Sequence, residues 1–405
     1  MKCGLLGKKL GHSYSPQIHS YLAEYSYNLF EKQPDELEEF LKHGDFTGIN
    51  VTMPYKKDVL PYLDQISPVA QKLGAVNTIV RRDGQLVGHN TDFNGFRSML
   101  SKTNLSVSGK KVLVLGSGGA STTAESVLQE LGAKVLVISR SGKNNYTNLS
   151  LHHDASLIVN ATPVGMYPNV GTSLVDLSSF PKLEGVLDIV YNPAKTKLLL
   201  DAESLGLVAE NGLWMLVAQA KESAEWFLNK KISDQIVEQI YNRLRLQMEN
   251  LILIGMPGSG KTTVGQLLAK KTGKKFIDSD AEIVLKAGMS IPEIFDRYGE
   301  EAFRQLETQV LAELGMQSGL VIATGGGCVT RSENYNHLHQ NGQIIWLKRS
   351  LESLPTDGRP LSMKFNLDEM YHIREPLYTR FSDKIILNEN TPEAAVSAIL
   401  EQEEL

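Results

Sequence analysis

Short apolar runs alternate with longer segments of helical spacing along the whole chain, which is the pattern of parallel α/β domains. Lys110-Lys111-Val112-Leu113-Val114-Leu115, Lys134-Val135-Leu136-Val137-Ile138, Leu251-Ile252-Leu253-Ile254, Phe276-Ile277-Asp278-Ser279-Asp280 and Gln343 to Leu347 read as strands. Two of these runs lead into glycine-rich turns and then a helix: Gly116-Ser117-Gly118-Gly119-Ala120-Ser121, and Gly255-Met256-Pro257-Gly258-Ser259-Gly260-Lys261-Thr262. The turns are too different to be repeats, so they predict two distinct phosphate-binding units. Ala218 to Leu246 reads as helix, with Trp226, Phe227, Ile232, Ile236, Val237, Ile240, Tyr241 and Leu244 near helical spacing and a break near Asn229 to Ser233. A strand follows almost directly after Gln247 to Asn250, which marks a junction with little linker.

The length of 405 residues suits two or three domains, and 42% hydrophobic with 21% charged residues is an ordinary globular mixture. No apolar run approaches 18 residues and no signal-peptide h-region follows Met1, so a soluble cytoplasmic protein is expected, with no membrane partner. Cys3 and Cys328 lack metal-ligand spacing and read as buried thiols. Residues 1–250 carry 25 basic and 25 acidic side chains and the remainder 16 and 21, so nothing favours a nucleic-acid backbone and any phosphate site is local. The chain does not reveal its oligomeric state.

Gly255-x-x-x-x-Gly260-Lys261-Thr262 is a complete P-loop with the strand before it and the helix after it that the mechanism requires. Backbone N–H groups of Gly255, Gly258, Ser259, Gly260, Thr262 and Thr263 can face phosphates, Lys261 can reach the β/γ oxygens, and the Thr262 hydroxyl can ligate Mg²⁺ for bound ATP. Asp278 and Asp280 are expected at a strand's C-terminal edge, both on one face, one for a magnesium shell and one for a substrate hydroxyl. Then follow Phe303-Arg304, Gly325-Gly326-Gly327, Gly358-Arg359-Pro360-Leu361 and Arg374-Glu375-Pro376-Leu377-Tyr378. In this order the series resembles shikimate kinase from about residue 250 to 402. The resemblance implies that Asp280, Arg304, Gly326 and Arg374 hold shikimate, that Arg359 lies on a lid closing over ATP, and that Asp278 acts at the magnesium shell or helps deprotonate the attacking hydroxyl. Lys348 to Gly358 is shorter than that family's usual helix-plus-lid segment, which keeps open a nucleotide-binding regulatory module of little kinase activity.

In the other turn Ser121 stands where Gly-x-Gly-x-x-Gly would have its third glycine, leaving Gly116, Ser117, Gly118, Gly119 and Ala120 to approach a pyrophosphate. The next strand ends in Arg140 with Lys143 nearby rather than in an acid, which favours the 2′-phosphate of NADP over the ribose hydroxyl of NAD. Ser141 to Ala155 is turn-like, so one helix of this fold is expected to be absent, and His152-His153 reads as solvated loop.

Five further clusters surround the turn: Gly11-His12-Ser13-Tyr14-Ser15-Pro16, Gly48 to Lys56, Gly74-Ala75-Val76-Asn77-Thr78 with Gly88-His89-Asn90-Thr91-Asp92, Tyr191 to Thr196, and Gly212 to Ala220. Together they resemble shikimate dehydrogenase over about residues 1 to 246. That resemblance implies that Ser13 and Ser15 bind a carboxylate, that Thr52, Asn77 and Gln219 hold ring hydroxyls with help from Tyr191, and that Lys56 and Asp92 are the catalytic pair, Asp92 also touching substrate. The expected architecture is α/β throughout. It comprises a two-lobed dehydrogenase-like unit, with a substrate lobe from 1–98 and 214–247 and a Rossmann-like NADP lobe from 99–213, fused to a P-loop α/β/α kinase domain over 250–405. The expected activities are NADPH-dependent reduction of 3-dehydroshikimate and ATP-dependent phosphorylation of shikimate. A dehydrogenase for quinate or another hydroxy acid, using NAD in the oxidative direction, is the nearer rival.

Overall fold

The computed structural model describes residues 1–11, 13–354 and 367–402, and its backbone falls into two compact units, Met1–Tyr191 with Leu198–Arg243, and Asn192–Lys197 with Leu244–Leu405.

The first unit holds two sheets. One is six-stranded and mixed, built from β1 (Lys2–Gly7), β2 (Ser26–Glu31), β3 (Gly48–Val51), β4 (Gln65–Ile66), β5 (Thr78–Arg82) and β6 (Gln85–His89) in the order β2-β1-β3-β5-β6-β4. β1 runs parallel to β2 and β3, while β5 is antiparallel to β3 and β6, so the C-terminal end of β3 and the starts of the segments after β6 meet at one edge. The other sheet is all parallel: β7 (Lys111–Leu115), β8 (Lys134–Ile138), β9 (Leu157–Asn160), β10 (Gly185–Asp188) and β11 (Val208–Asn211), ordered β11-β10-β9-β7-β8. The chain leaves β7 for β8 on one side and comes back to β9 on the other. This reversal opens a crevice at the C-terminal end of β7, where parallel sheets bind ligands.

No α-helix connects β8 to β9; turns and the short 3₁₀ helix Leu149–His152 take its place, as the composition of that stretch predicts. His152 corrects the expectation of a solvated pair. It is buried, one turn after Leu149, which packs on the core of Leu113, Ile158 and Phe180; His153 remains exposed.

The helices Asp92–Lys102 and Leu213–Leu228 cross closely, and the first of them spans residues 98 and 99. A Cβ on Gly95 would lie 3.0 Å from the Met215 carbonyl oxygen and 3.1 Å from the Gln219 Cβ, so the absence of a side chain at Gly95 is what permits the crossing. Asn229, with φ of 50°, ends the second helix, and Gln235–Met248 follows, which is the break that the spacing predicts.

The second unit is built on one parallel sheet, β12 (Asn250–Ile254), β13 (Lys275–Asp278), β14 (Leu320–Ala323), β15 (Gly342–Lys348) and β16 (Lys384–Leu387), ordered β13-β14-β12-β15-β16. Every residue of β12 is buried because both faces are covered: Ile252 and Ile254 join one core cluster, Leu251 and Leu253 another. The strand expected to run through Asp280 stops at Asp278. Asp278 caps the helix Ser279–Ala287 by accepting from the Asp280 N–H at 3.0 Å, so Asp280 belongs to the first helical turn and not to the strand face. In the helix Ile291–Gly315, Gly299 has φ of 82°, a value that a side chain disfavours, and the kink there lets a fresh helical run begin just before Arg304. Among the described residues no helix is long and apolar enough to cross a membrane.

Candidate active sites

In the first unit, Lys56 and Asp92 meet although they are remote in sequence: the Lys56 ammonium lies 2.6 Å from a carboxylate oxygen of Asp92. Each is held by its backbone. Lys56 follows the turn after β3, where the Tyr55 N–H donates to the Thr52 carbonyl (3.0 Å) and the buried Tyr55 hydroxyl to the Lys32 carbonyl (2.5 Å), while the Lys56 carbonyl accepts from Val76 N–H (2.7 Å). Asp92 opens its helix with its N–H on the Asn90 side chain (3.0 Å), and Asn90 in turn donates to the Ala75 carbonyl (2.9 Å). The lysine side chain is 31% exposed and the aspartate 12%, so the lysine is the more accessible of the pair.

Asn77 is buried next to this pair. Its Oδ1 accepts from Thr91 N–H (2.8 Å) and Thr78 Oγ1 (3.0 Å), and its Nδ2 lies 3.1 Å from Thr91 Oγ1, so the group it can offer a substrate is the second N–H of its amide. The Gln219 Cβ packs against Gly95, in the first turn of the helix that Asp92 opens. Ser13 Oγ accepts from the Ser15 N–H (3.2 Å), and the ring of Tyr14 between them stands edge-on to Tyr191, with centroids 6.2 Å apart. Burial raises the Tyr191 hydroxyl above its ordinary pKa, keeping it a hydrogen-bond donor. Thr52 is half-buried at the end of β3, its N–H on the Leu6 carbonyl (2.9 Å).

Sequence reasoning passed over a second layer here. Glu222, one turn after Gln219, accepts from Asn94 Nδ2 (2.8 Å) and lies 3.0 Å from His89 Nε2, and so ties the strand end before Asp92 and the helix after it to one carboxylate. Asn50 Nδ2 likewise donates to Ser223 Oγ (2.7 Å). No local motif carries these contacts, since each joins segments far apart in sequence.

At the end of β7, Gly116 has φ of 111° and packs so tightly that a Cβ would lie 2.9 Å from Thr162 Cγ2 and 3.0 Å from the Ala161 carbonyl, at the end of β9. Ser121, in place of a third glycine, is buried and its hydroxyl donates to the Gly116 carbonyl at 2.7 Å, so it stiffens the turn. Gly118 caps the helix Gly119–Glu130, and the positions where Gly118 and Gly119 would carry a Cβ face open space. Ser117 is exposed beside them and Ala120 half-buried. An open helix N-terminus with backbone free to approach suits a pyrophosphate, and Arg140 and Lys143 are both exposed just beyond β8, suiting an additional phosphate. These residues fit NADP(H).

In the second unit a cavity of about 520 Å³ is lined by Lys261, Thr262, Thr263, Asp278, Asp280, Arg304, Gly326 and Arg374 among others, which brings most of the residues expected for ATP, metal and acid substrate to one place. Gly255, Gly258 and Gly260 all have positive φ, giving the loop the turn that precedes the helix Lys261–Thr272. Ser259 is buried, its carbonyl accepting from Asn388 Nδ2 at 2.8 Å, a contact the sequence did not announce. Lys261 Nζ lies 2.8 Å from the Gly255 carbonyl and 2.9 Å from that of Met256, a curled position over the loop. The Thr262 hydroxyl donates to Asp278 at 3.0 Å; together they are hard oxygen donors of the kind Mg²⁺ takes alongside nucleotide phosphates.

Opposite the P-loop, buried Arg304 donates to Glu307 (2.7 Å) and Glu300 (3.3 Å). Burial raises the Glu307 carboxyl above its usual range and the Arg304 charge works against that rise. Glu307 was missed, although Arg and Glu three apart on a helix share a face and offered the signal. The Gly326 carbonyl accepts from Arg374 Nη1 (3.2 Å) and from the Tyr378 hydroxyl (2.5 Å), leaving its N–H to offer a ligand. Arg359 lies outside the described residues. Arg349, which also lines the cavity, was not singled out from the sequence.

Comparison with known proteins matches two stretches of the chain to two families. Residues 5–79 match the family model for the shikimate dehydrogenase substrate-binding domain, and residues 257–404 that for shikimate kinase. A shikimate dehydrogenase (NADP⁺) from Clostridium perfringens is 38% identical over 264 residues, an alignment covering 60% of this chain and 97% of that one. This chain belongs to the shikimate dehydrogenase family. Among solved structures, shikimate dehydrogenase 1 from Peptoclostridium difficile superposes with a TM-score of 0.55 at 41% identity, covering 60% of this chain and 98% of that one. A chorismate mutase/shikimate 5-dehydrogenase fusion protein from Clostridium acetobutylicum gives a TM-score of 0.58 at 38% identity, covering 60% and 96%. The fold is thus a shikimate dehydrogenase-like α/β unit joined to a P-loop unit of the shikimate kinase family, and NADP(H), ATP and Mg²⁺ are the cofactors of these families.

Proposed function

We propose that the chain is a bifunctional enzyme that reduces 3-dehydroshikimate to shikimate with NADPH and then phosphorylates shikimate with ATP to shikimate 3-phosphate. Residues 1–98 with 214–247 form the substrate lobe of the reductase, 99–213 its NADP lobe and 250–405 the kinase. The observation that supports the reading is that each unit gathers charged and polar side chains: Lys56 on Asp92, with Asn77 bonded to the neighbouring Thr91, and Lys261, Thr262 and Asp278 lining one cavity with Asp280, Arg304 and Arg374.

NADPH supplies a hydride to the ketone carbon, and the carbonyl oxygen that gains negative charge needs a proton and a cation in reach. Lys56 provides both, giving its proton to that oxygen. Asp92 keeps the ammonium aimed and accepts from a neighbouring substrate hydroxyl. Ser13 and Ser15 receive the carboxylate, Thr52, Asn77, Gln219 and Tyr191 the hydroxyls, and Arg140 with Lys143 the 2′-phosphate. In the kinase, ATP supplies the phosphoryl group with Mg²⁺ as its counter-ion. Arg304, Arg374, the Gly326 N–H and Asp280 orient shikimate, Asp278 holds the metal shell or draws the proton from the attacking hydroxyl, and Lys261, with Arg359, offsets charge on the transferred group.

A coupled assay decides it: 3-dehydroshikimate, NADPH and Mg-ATP are supplied to the full chain, and NADPH oxidation and shikimate 3-phosphate are followed together. Stoichiometric appearance of both products is expected. Reduction without phosphorylation would turn the second unit into a nucleotide-binding module, and faster turnover of quinate with NAD would reassign the first. Arg140→Ala should lose the preference for NADPH over NADH; an unchanged preference removes Arg140 from the site.

A further inference from the structure

Beyond Arg304 and Arg374, the P-loop cavity holds a third guanidinium. Arg349 lies one residue past the end of β15, and β15 runs directly against the P-loop: a Cβ on Gly255 would lie 2.6 Å from the Leu347 carbonyl oxygen. From that strand end Arg349 Nη1 reaches the Gly258 carbonyl at 3.4 Å, a long and weak hydrogen bond. Its Nε is buried and makes no hydrogen bond.

The contrast with its neighbours is chemical. Arg304 is neutralised by Glu307 and Glu300, whereas among the described residues no carboxylate pairs with Arg349. Two acids at this strand end are taken by its neighbours: Glu375 by the Lys348 ammonium (2.9 Å), and Glu389 by the Ser350 N–H (2.8 Å) and Ser350 Oγ (3.1 Å). A partly desolvated guanidinium with an unmet N–H is unfavourable by itself and calls for an anion. The anion site beside it is the P-loop, with Lys261 already curled over its carbonyls. Arginine matches phosphate oxygens in a fork, and giving up a 3.4 Å bond to Gly258 removes little.

We propose that Arg349 binds the phosphate oxygens of the nucleoside triphosphate, a cationic contact delivered by the strand end itself in a chain whose following segment is short. The identity of the phosphate donor rests on the kinase reading above. The contact itself follows from the cavity geometry.

The test compares the full-length wild type with R349Q and R349K. Calorimetry measures affinity for Mg-ADP and for inorganic tripolyphosphate, kinetics give KM for ATP and for shikimate, and thermal melting reports folding. R349Q should weaken Mg-ADP and tripolyphosphate alike by about 10- to 100-fold, the worth of a charge-assisted hydrogen bond, and raise KM for ATP while KM for shikimate stays put. R349K should recover part of the loss as a point charge without the fork. Unchanged tripolyphosphate affinity in R349Q overturns the proposal, including the case where only Mg-ADP weakens, which would set the guanidinium on the base. A rise confined to KM for shikimate overturns it too. If the wild type binds both phosphates but does not phosphorylate shikimate, the kinase reading fails on its own, and the R349Q binding comparison still decides the role of Arg349.

Discussion

Single side chains in this protein act through what holds them. In the proposed reduction the Lys56 ammonium is aimed by its 2.6 Å contact to Asp92, and Asp92 is in turn fixed by Asn90 and, through the helix it opens, by Glu222. Replacing Lys56 by Ala should lower dehydrogenase kcat by about 10²- to 10⁴-fold with a smaller effect on KM, measured by steady-state NADPH oxidation. Glu222→Ala probes the support rather than the chemistry. It leaves His89 Nε2 and Asn94 Nδ2 without their shared acceptor, so kcat should fall by less than in Lys56→Ala and stability by about 1–3 kcal/mol, with Glu222→Gln restoring most of both. In the other unit, Gly327 is a steric test. A Cβ there would sit 2.3 Å from Arg304 Nη1, whose guanidinium is pinned by Glu307, so Gly327→Ala should raise KM for shikimate in the kinase reaction and leave KM for ATP alone.

At the scale of elements, the end of the helix Leu213–Leu228 is clamped to the next helix by charge. Lys221 lies 2.9 Å from Glu225 and 2.6 Å from Asp234, and Glu225 also accepts from the Ile232 N–H at 2.8 Å. Burial pushes the Glu225 carboxyl up, but the Ile232 N–H and the two lysines outweigh it and leave it below its usual 4.5; the Lys221 hydrogen bond holds Asp234 below 3.8. Burial lowers Lys221, but Asp234 and Glu225 outweigh that and leave it above 10.5. Depressed acids stabilise the fold above their unfolded values and cease to as pH falls through the folded ones, while the raised lysine stabilises fully below 10.5 and ceases to as pH rises through its higher folded value. Lys221→Met should therefore destabilise by about 2–4 kcal/mol at neutral pH, most of it through buried Glu225, and the gap to wild type in urea unfolding should narrow below about pH 4. The strands, the helix break at Asn229 and the missing helix after β8 were legible because each rests on local pattern. Asp280 was misread because a capping aspartate after an apolar strand looks like the strand's continuation. The burial of His152, the Glu222 tie and the approach of Arg349 to Gly258 depend on contacts between distant segments, which spacing does not encode.

For the whole molecule, the described residues of each proposed site come from one unit: Ser13 to Gln219 in the first, and the P-loop cavity from Pro257 to Arg374 in the second. The Lys56 ammonium bonds Asp92 within the first unit, and the Lys261 ammonium bonds the Gly255 and Met256 carbonyls within the second. The two activities should then be separable by single substitutions in the intact chain. Lys261→Ala should abolish formation of shikimate 3-phosphate and leave NADPH oxidation at the wild-type rate, and Lys56→Ala should do the reverse when shikimate is added. An equimolar mixture of the two variants should convert 3-dehydroshikimate to shikimate 3-phosphate after a lag during which free shikimate accumulates, because the intermediate must leave one chain and enter another. Loss of both activities in either variant would show that the units depend on each other for function, and that the independent construction of the two sites does not carry through to turnover.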